Sequence, residues 1–433
     1  MASKKIASRV EEIFSHSRDA CEQALRGMFD KQGGVLPGAA IKVHLRNFAS
    51  FNTTFGYQKG EQLLREVAQY LTEVCEHPIY RQGSGVSFIL LVPDQGMYGA
   101  AELAEKIAER FEHPWQLGSL DCVCTACVGV VLYPDYASAP DDLLHNLDLA
   151  IDQSTKGGHN KVTLFGPELQ DRFYRDAVII RLLTSAIEND QINIRYRPVW
   201  SLGDESYTRI ECASRLLTVE FGPVRQSEFL PLAEESGVAY FVNMHVIRRA
   251  CRAIQELTAK GVQFESMSVE LSPVLLPQRG FVNEVAALLD EYRVPYKKLA
   301  LEVYDHPMSA HCIRPVVEKL SSLGVEIVLG GVDFGFSGLR DILTLPVDAI
   351  KLGRMSVWQL ETNPRSGAVV QGLIQIAASL GIKLIAEGVE TDYQNSLLGR
   401  YRCPYRQGLY YSHSLSIAEL EELFASPQLE DRP

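Results

Sequence analysis

The second half of the chain alternates between short apolar runs and amphipathic segments. Eight apolar runs of strand length lie between residues 192 and 411, and most pairs are separated by a segment with apolar residues at helical spacing. Strands that alternate with helices over about 250 residues are typical of a (β/α)8 barrel. We therefore predict an α/β barrel over residues 191–425, followed by a tail over residues 426–433.

A polar residue stands at or just past the end of each apolar run. The C-terminal rim of a (β/α)8 barrel carries its chemistry, so residues at these ends should meet at one mouth. A single charged residue after a strand usually only meets solvent, but eight in corresponding places indicate a shared site. The eight residues are Arg197, Glu211, Glu270, Glu302, Asp333, Lys351, Glu387 and Gln407.

The first half of the chain has a different order of elements. Apolar residues at helical spacing predict an N-terminal helix over residues 1–34, which fits either packing on the next domain or a role in dimerisation and signal passing. The pattern over residues 35–168 predicts an α+β domain with helices on one face of a sheet. A connecting helix is predicted over residues 169–190.

Composition narrows the class of protein. The chain carries a net charge of −12, so non-specific binding to nucleic acid is not expected. The N-terminal stretch lacks the apolar core of a signal peptide. The longest apolar stretch, residues 368–386, is interrupted by Gln, Gly and Lys and predicts a helix followed by a strand. We therefore expect a cytoplasmic protein without a membrane span.

The cysteines favour reduced thiols. There are nine, an odd number, and they are scattered without a disulfide framework. Cys122, Cys124 and Cys127 lie close in sequence, which fits either a metal site or a β-strand that buries small thiols. No histidine or fourth cysteine lies nearby, which favours the strand.

The motifs of the second half resemble the EAL domain, the barrel of cyclic-di-GMP phosphodiesterases. The resemblance covers residues 174–425 and implies a TIM-like barrel with one antiparallel strand. Residues 35–166 resemble, more faintly, the GGDEF domain of diguanylate cyclases through the run LRNFASFNTTFGYQKGEQLL. The EAL motifs are TRIECASRLL, SVELSP, LALEVYD, VDFG, DAIKLGR, LIAEGVET and CPYRQGLYYS.

The GGDEF resemblance implies that the first domain has lost its chemistry. Cyclases hold Mg²⁺ with acidic side chains, since hard oxygen ligands suit that ion. Here His44 and Arg46 stand at two aspartate positions, and residues 83–87 replace the Gly-Gly-Asp-Glu-Phe stretch without its acids. We predict no cyclase activity. Arg81 and Asn52 keep the family's residue types, so weak binding of GTP stays open.

The EAL resemblance assigns roles to the residues at the barrel mouth. It places metal ligands at Glu211, Glu270, Glu302 and Asp333, with Val332 at the position of a bridging aspartate. Lys351 would stand beside the attacking water and Glu387 with the metals, both as vestiges of a catalytic set. The residues expected to bind the dinucleotide or its metals are Arg197, Glu211, Arg215, Asp333, Phe334 and Gln407.

Several departures from the family put hydrolysis in doubt. Val332 has no lone pair to give a metal, Glu270 replaces a neutral asparagine with an acid, and Gly353 replaces an aspartate. Residues 332–337 compress the family's Asp-Asp-Phe-Gly-Thr-Gly-Tyr-Ser by two residues. Against this, Glu270 could replace the charge lost at Val332 and leave a rebuilt site for one metal, with Mg²⁺ or Ca²⁺ at the barrel mouth.

Electrostatics leaves nucleotide binding open as well. Two like charges about 4 Å apart repel by about 4 kcal/mol at an effective dielectric near 20, so the acids oppose a dianionic ligand. Arg215, Lys351 and Arg197 offset part of that repulsion, and a bound cation would offset more.

The sequence thus favours a cyclic-di-GMP receptor or scaffold in which both domains are degenerate. Two alternatives stay open: a nucleotide-independent protein-interaction module, and a weak metal-dependent cyclic-di-GMP phosphodiesterase. Cyclic di-GMP, a protein partner and a second copy of the chain are the partners expected, and nucleic acid is not.

Overall fold

A computed structural model describes residues 2–15, 20–29, 35–82, 85–158, 160–187, 189, 191–304, 310–332 and 342–425. The chain divides into two compact units, Met1–Arg175 and Asp176–Pro433. Each unit has its own apolar core, formed by the strands and helices described below.

The first unit is built on a five-stranded sheet. Its strands are β1 (Gly38–Leu45), β2 (Ile79–Gln82), β3 (Ser87–Pro93), β6 (Ala126–Tyr133) and β7 (Val162–Leu164), and a separate hairpin holds β4 (Trp115–Leu117) and β5 (Leu120–Cys122). The order across the sheet is β2-β3-β1-β6-β7. β1 lies in the middle, antiparallel to β3 and β6, whereas β7 is parallel to β6.

The helices of this unit cover both faces of the sheet, which corrects the expectation of helices on one face. Ile41 and Val43 pack in one cluster with residues of α4 and α5, whereas Ala40 packs in another with α2 and α6. β1 is therefore buried on both sides, even though Lys42 and His44 give its second half the polar alternation of a one-sided strand. The helices are α1 (Ala2–Ser15), α2 (Ala20–Phe29), α3 (Phe48–Phe55), α4 (Tyr57–Val74), α5 (Met97–Arg110) and α6 (Pro140–Lys156).

The single N-terminal helix predicted from the pattern is two helices, α1 and α2. The four residues between α1 and α2, 16–19, lie outside the described part of the chain. The connecting helix is present as α7 (Pro167–Ala186) and begins at a proline, which is favourable in the first turn of a helix.

All eight apolar runs of the second half are strands of a closed barrel. The order is β9-β11-β12-β13-β14-β15-β16-β8, closed by pairing of β8 with β9, and β10 extends β9 as a hairpin. The strands are β8 (Ile192–Ser201), β9 (Ser206–Thr218), β10 (Gly222–Arg225), β11 (Met267–Glu270), β12 (Leu299–Tyr304), β13 (Glu326–Val332), β14 (Ala349–Leu352), β15 (Lys383–Glu387) and β16 (Tyr405–Gln407).

One strand of the barrel is antiparallel to its neighbours, as the resemblance implied. β8 runs antiparallel to both β9 and β16, and the strand pairs from β9 through β16 are parallel. The helices around the barrel are α8 (Gln226–Glu235), α9 (Ala239–Ala259), α10 (Phe281–Glu291), α11 (Ala310–Ser322), α12 (Arg354–Thr362), α13 (Pro364–Leu380), α14 (Asp392–Arg400) and α15 (Ile417–Ala425).

The long apolar stretch forms α13 and then β15, as predicted. Across the described part of the chain, no helix combines the length and apolar character that a membrane crossing requires. Eight of the nine cysteines are described, and each of these is a buried free thiol.

Candidate functional site

The mouth of the barrel collects polar residues from several strands. Glu270 lies opposite Glu302 on adjacent strands, and Glu387 lies opposite Gln407. Residues in register on neighbouring strands point to the same face of a sheet, so these side chains share the barrel interior. Glu270, Glu387 and Gln407 border an opening of about 590 Å³, which we call the mouth cleft. Its charged and polar lining includes Arg197, Glu211, Arg215, Arg225, Gln226, Glu270, Tyr304, Arg354, Glu387 and Gln407.

The structure brings together seven of the eight residues that the strand ends predicted. Five of them line the mouth cleft, and Glu302 and Lys351 line a small cavity that Glu211 and Gln407 also border. The eighth, Asp333, lies outside the described residues, as does Phe334.

Arg197 lies at the barrel mouth, but not because it ends a strand at this rim, as predicted. β8 runs opposite to the other strands, so its C-terminal end does not lie at this rim. Arg197 stands instead in the middle of β8, directly opposite Glu211 on β9. Because the two residues share a register position and a face, their side chains meet.

Lys351 is the centre of the charged cluster. Its Nζ lies 2.8 Å from a carboxylate oxygen of Glu211, 3.1 Å from one of Glu302 and 3.8 Å from one of Glu387. Burial disfavours the ammonium charge, but the three acids outweigh burial and raise the pKa of Lys351 above its ordinary value. A buried ammonium therefore neutralises much of the negative charge below the cleft.

Glu211 stays ionised despite being buried. Burial alone would favour its neutral form, but Lys351 and then Arg197 lower its pKa to about 2. The Arg197 guanidinium lies 3.0 Å from Glu211 and 3.7 Å from Glu387, so it bridges two acids across the cleft. Glu302 differs, since burial raises its pKa against the attraction of Lys351.

Arg354 is a member of the cluster that the sequence did not single out. Its Nε donates to Glu387 at 2.9 Å, and its side chain is 43% exposed at the rim. Arg354 begins α12, directly after β14 and three residues after Lys351. Residues just past a strand end were the signal used to find the site, and extending that window by two residues would have included Arg354.

Glu270 is held in a neutral form. Gln226 donates to it at 3.1 Å, and Ser214 in turn donates from both its backbone N–H and its hydroxyl to the Gln226 carbonyl. Burial, followed by the charges of Glu302 and Glu211, raises the pKa of Glu270 to about 8. At neutral pH this glutamate is therefore mostly uncharged, as the asparagine of the family would be.

Tyr304 is a second residue that the sequence analysis missed. It lines the mouth cleft, and its phenol donates to Glu302 at 2.9 Å. Burial and the surrounding acids raise the pKa of Tyr304 well above its ordinary range. Tyr304 lies opposite Gly330 in register, while Val332 is only 3% exposed and packs in the apolar core of the barrel.

The hairpin of β9 and β10 carries two arginines over the cleft. Arg215 and Arg225 are directly opposite each other on the two strands. Arg215 donates to the carbonyl of its neighbour Ser214 at 3.1 Å. Burial and the nearby arginines, led by Arg197, lower the pKa of Arg215, which marks a local excess of positive charge.

The described acids at the mouth, taken without Asp333, do not fit a pair of divalent cations. Three of the acids predicted as ligands already contact the Lys351 ammonium, and a fourth, Glu270, is mostly protonated at neutral pH. Within the described ranges, no group of three or more His, Cys, Asp or Glu side chains is arranged to hold a metal ion.

The corresponding positions of the first unit also lack acids. The Nδ1 of His44 lies 2.9 Å from the Ser87 hydroxyl, and burial followed by Lys42 lowers the pKa of His44. Arg46 donates to the carbonyl of Gly158 at 3.0 Å. An imidazole and a guanidinium thus stand at the two positions that the resemblance assigns to metal-binding aspartates.

The three clustered cysteines have buried thiols, as expected if this segment is β-structure and not a metal site. Cys122 ends β5 and Cys127 lies in β6, and both thiols and that of Cys124 are buried. Burial raises the pKa of Cys124 to about 12, so this thiol stays protonated and is a poor metal ligand.

Two domain families match the chain. The EAL domain matches residues 180–414, and the diguanylate cyclase GGDEF domain matches residues 16–161.

Curated relatives resemble the chain over both domains. The cyclic di-GMP phosphodiesterase NbdA of Pseudomonas aeruginosa is 28% identical over 398 residues, covering 91% of this chain and 51% of NbdA. The cyclic di-GMP phosphodiesterase PdeR of Escherichia coli is 25% identical over 410 residues, covering 94% of this chain and 61% of PdeR. The chain thus spans about half to three fifths of the length of these relatives.

Solved structures resemble the second unit. The PaMucR phosphodiesterase in its c-di-GMP complex aligns with a TM-score of 0.54 and 26% identity, covering 56% of this chain and 99% of that one. The FimX EAL domain of Pseudomonas aeruginosa bound to c-di-GMP aligns with a TM-score of 0.51 and 22% identity, covering 55% of this chain and 97% of that one. The second likeness supports the fold alone.

Proposed function

Because the chain belongs to the EAL domain family and carries a GGDEF domain in tandem, we propose that it is a cyclic-di-GMP receptor. The dinucleotide binds in the mouth cleft without divalent metal and is not hydrolysed efficiently. Relatives named as cyclic di-GMP phosphodiesterases, and a similar barrel solved with c-di-GMP, support this ligand class.

The observation that carries the proposal is the charge balance at the mouth. The charged carboxylates Glu211 and Glu387 and the buried Glu302 are paired with Lys351, Arg197 and Arg354. Glu270 adds little negative charge at neutral pH.

Arg215 and Arg225 then add positive charge beyond these ion pairs, and the exposed Glu390 at the cleft offsets part of it. Their guanidinium groups can bind phosphate oxygens in a two-pronged geometry. A dianionic dinucleotide therefore finds a complementary cleft without a metal ion to screen the acids.

The same geometry argues against efficient hydrolysis. A metal-dependent phosphodiesterase needs carboxylate oxygens open to its cations, whereas these acids contact an ammonium and two guanidinium groups. The neutral state of Glu270 also weakens the alternative in which that residue restores a lost ligand charge. Lys351 and Glu387 act in this account by holding the cleft together.

We extend the proposal to the first unit and to the partners. Residues 35–168 form a GGDEF domain without cyclase activity, because His44 and Arg46 replace acids that would hold Mg²⁺. Residues 169–190 connect it to the barrel of residues 191–425. The receptor passes its signal to a protein partner or to a second copy of the chain.

A titration of the full chain with cyclic di-GMP in EDTA tests the proposal. We expect saturable binding, weakened by about tenfold or more in Arg215→Ala because a charge-assisted phosphate contact is lost. Arg314→Ala is the matched control, since Arg314 pairs with Glu318 on the surface of α11 and should leave the affinity unchanged.

The other outcomes identify the alternatives. No binding at millimolar ligand overturns the receptor and favours a nucleotide-independent protein-interaction module. Appearance of the linear dinucleotide when Mg²⁺ is added favours a slow phosphodiesterase.

A further inference from the structure

The side of the mouth cleft beside Glu302 is filled by an aromatic ring. Tyr304 follows Glu302 by two residues on β12, so both side chains point into the barrel, with Tyr304 nearer the rim. The ring stands over Gly330 and Gly331 on β13. A Cβ placed on Gly330 would lie 2.9 Å from Tyr304 Cζ and 2.5 Å from Glu302 Oε1, and one on Gly331 would lie 2.9 Å from Tyr304 Cδ1.

We propose that Tyr304, packed on Gly330 and Gly331, excludes a divalent cation from the acids of the mouth cleft. It is a specificity-determining residue of the proposed receptor. The ring and the two glycines form one unit, since any larger residue at either position would collide with the ring. The phenol meanwhile donates a hydrogen bond to the Glu302 oxygen on that side, which a cation would otherwise approach.

Backbone geometry supports the assignment of the two glycines. The pairing of β13 with β14 shifts between Leu329 and Val332, so Gly330 and Gly331 form an irregular step at the strand end. Gly331 has a φ of +64°, a conformation that side chains with a Cβ rarely adopt. Val332 returns to register opposite Leu352 and is buried in the core.

This geometry favours an alignment in which Gly330 and Gly331, and not Val332, stand at the aspartate positions of the family. Aligned without a gap, Gly330–Ser337 covers the eight positions of Asp-Asp-Phe-Gly-Thr-Gly-Tyr-Ser, with the two glycines at both aspartates and identity at Gly335 and Ser337. No deletion is then needed, and Val332 takes the apolar position that its burial requires. Neither Gly330 nor Gly331 thus offers a carboxylate beside Glu302, and the tyrosine ring occupies space that a side chain at either position would use.

The inference deepens the proposed function and rests on it only in assigning the cleft to a nucleotide. The Mn²⁺ measurement contains no nucleotide, so metal exclusion can fail while the titration in EDTA still shows binding of cyclic di-GMP. Conversely, that titration can show no binding while metal exclusion holds, and the two results are distinguishable.

Binding of Mn²⁺ to the full chain, measured by electron paramagnetic resonance of the free ion, tests the proposal. We expect the Tyr304→Ser/Gly330→Asp variant to bind one Mn²⁺ tighter than the unaltered chain by about tenfold or more, because it gains a carboxylate and an open space. Tyr304→Phe keeps the ring and should bind Mn²⁺ no better than the unaltered chain. Adding Glu302→Gln to the double variant should remove the gain.

Thermal unfolding provides a readout that does not depend on metal. Gly330→Asp should lower the Tm of the barrel more in the presence of Tyr304 than in the Tyr304→Ser background, because the collision with Glu302 is common to both and the collision with the ring occurs only in the first. Equal losses in both backgrounds would overturn the packing argument. An unaltered chain that already binds Mn²⁺ at the mouth as tightly as the double variant would overturn metal exclusion.

Discussion

Two glutamates at the barrel mouth differ in protonation because their neighbours differ. Glu211 faces Lys351 and Arg197 and remains charged, whereas Glu270 faces an amide and two acids and is mostly neutral at pH 7. The same side chain thus serves as a counter-ion in one position and as a hydrogen-bonding group in the other. Charge at this site is decided by packing, residue by residue.

Replacing Glu270 with glutamine should remove a pH dependence. The pKa of Glu270 rises from 4.5 in the unfolded chain to about 8 in the fold, so the fold holds a proton that it loses as pH rises through 8. The free energy of unfolding should therefore fall in the unaltered chain relative to Glu270→Gln by on the order of 2–4 kcal/mol between pH 5 and pH 9. Urea unfolding at both pH values measures this difference.

The same substitution should affect ligand binding. Above pH 8 the charged Glu270 repels an anion, so the affinity for cyclic di-GMP should fall between pH 7 and pH 9 in the unaltered chain and much less in Glu270→Gln. Parallel pH profiles of the two proteins would show that Glu270 does not ionise in this range.

Replacing Lys351 with methionine should destabilise the barrel strongly. The change leaves Glu211 and Glu302 buried without their shared ammonium, and breaking such a pair typically costs about 3–5 kcal/mol. Lys260→Met removes an exposed lysine paired with Glu256 and should leave the urea midpoint nearly unchanged. Equal effects of the two substitutions would show that Lys351 is not the counter-ion of the cluster.

The charged residues of the barrel mouth could be predicted from the sequence, but the neighbouring residues that control this site could not. Their positions at the strand ends identified Glu211, Glu302 and Lys351, because the C-terminal ends of parallel barrel strands lie at one rim. Tyr304 was passed over because an aromatic residue in an apolar run looks like core. Its proposed role depends on two glycines on the neighbouring strand β13, a contact that no local pattern contains.

At the scale of elements, local pattern predicts the type of an element better than its direction. The apolar runs correctly predicted all eight barrel strands, since buried strands need continuous apolar sequence. That β8 is antiparallel is invisible in its own ten residues and followed only from the family resemblance. The two-sided burial of β1 was missed for a similar reason, because it depends on helices far away in sequence.

The first helix also shows how an element is fixed by its partners. Phe14 of α1 lies between two guanidinium groups, 4.6 Å from that of Arg65 and 4.7 Å from that of Arg81. Arg9 donates to the carbonyls of Cys75 and His77, beyond the end of α4. Helix α1 is therefore held on the GGDEF unit by ring, cation and backbone contacts together.

Removing the Phe14 ring should loosen α1. Phe14→Ala loses two cation–π contacts, each contributing about 0.5–1 kcal/mol, together with apolar burial. Hydrogen exchange of the α1 amides should accelerate, while Ser8→Ala at an exposed position of the same helix should leave exchange nearly unchanged. Unchanged exchange in Phe14→Ala would mean that α1 is held by its other contacts alone.

At the scale of the whole molecule, the EAL barrel and the GGDEF unit each fold around an apolar core of their own. In the GGDEF unit His44 and Arg46 stand at two positions that the resemblance assigns to metal-binding aspartates, and in the barrel Gly330 and Gly331 lie beside Glu302 and Tyr304. Because each fold depends on its apolar core, activity has to be tested at the site residues themselves.

The full chain should make no cyclic di-GMP from GTP. In the GGDEF unit, His44 and Arg46 stand at positions where the reaction needs carboxylates to bind Mg²⁺. Chromatography of a long incubation with GTP and Mg²⁺ should show only substrate, with an active diguanylate cyclase as the positive control. Formation of cyclic di-GMP would contradict the assignment of that unit as a structural domain.

The most direct test of the account compares cyclic-di-GMP binding to the full chain in EDTA and in Mg²⁺, followed by chromatography of the recovered ligand. A cleft neutralised by Lys351, Arg197 and Arg354 predicts dissociation constants that agree within about threefold and a ligand recovered intact. Binding that appears only with Mg²⁺, or recovery of the linear dinucleotide, would contradict it.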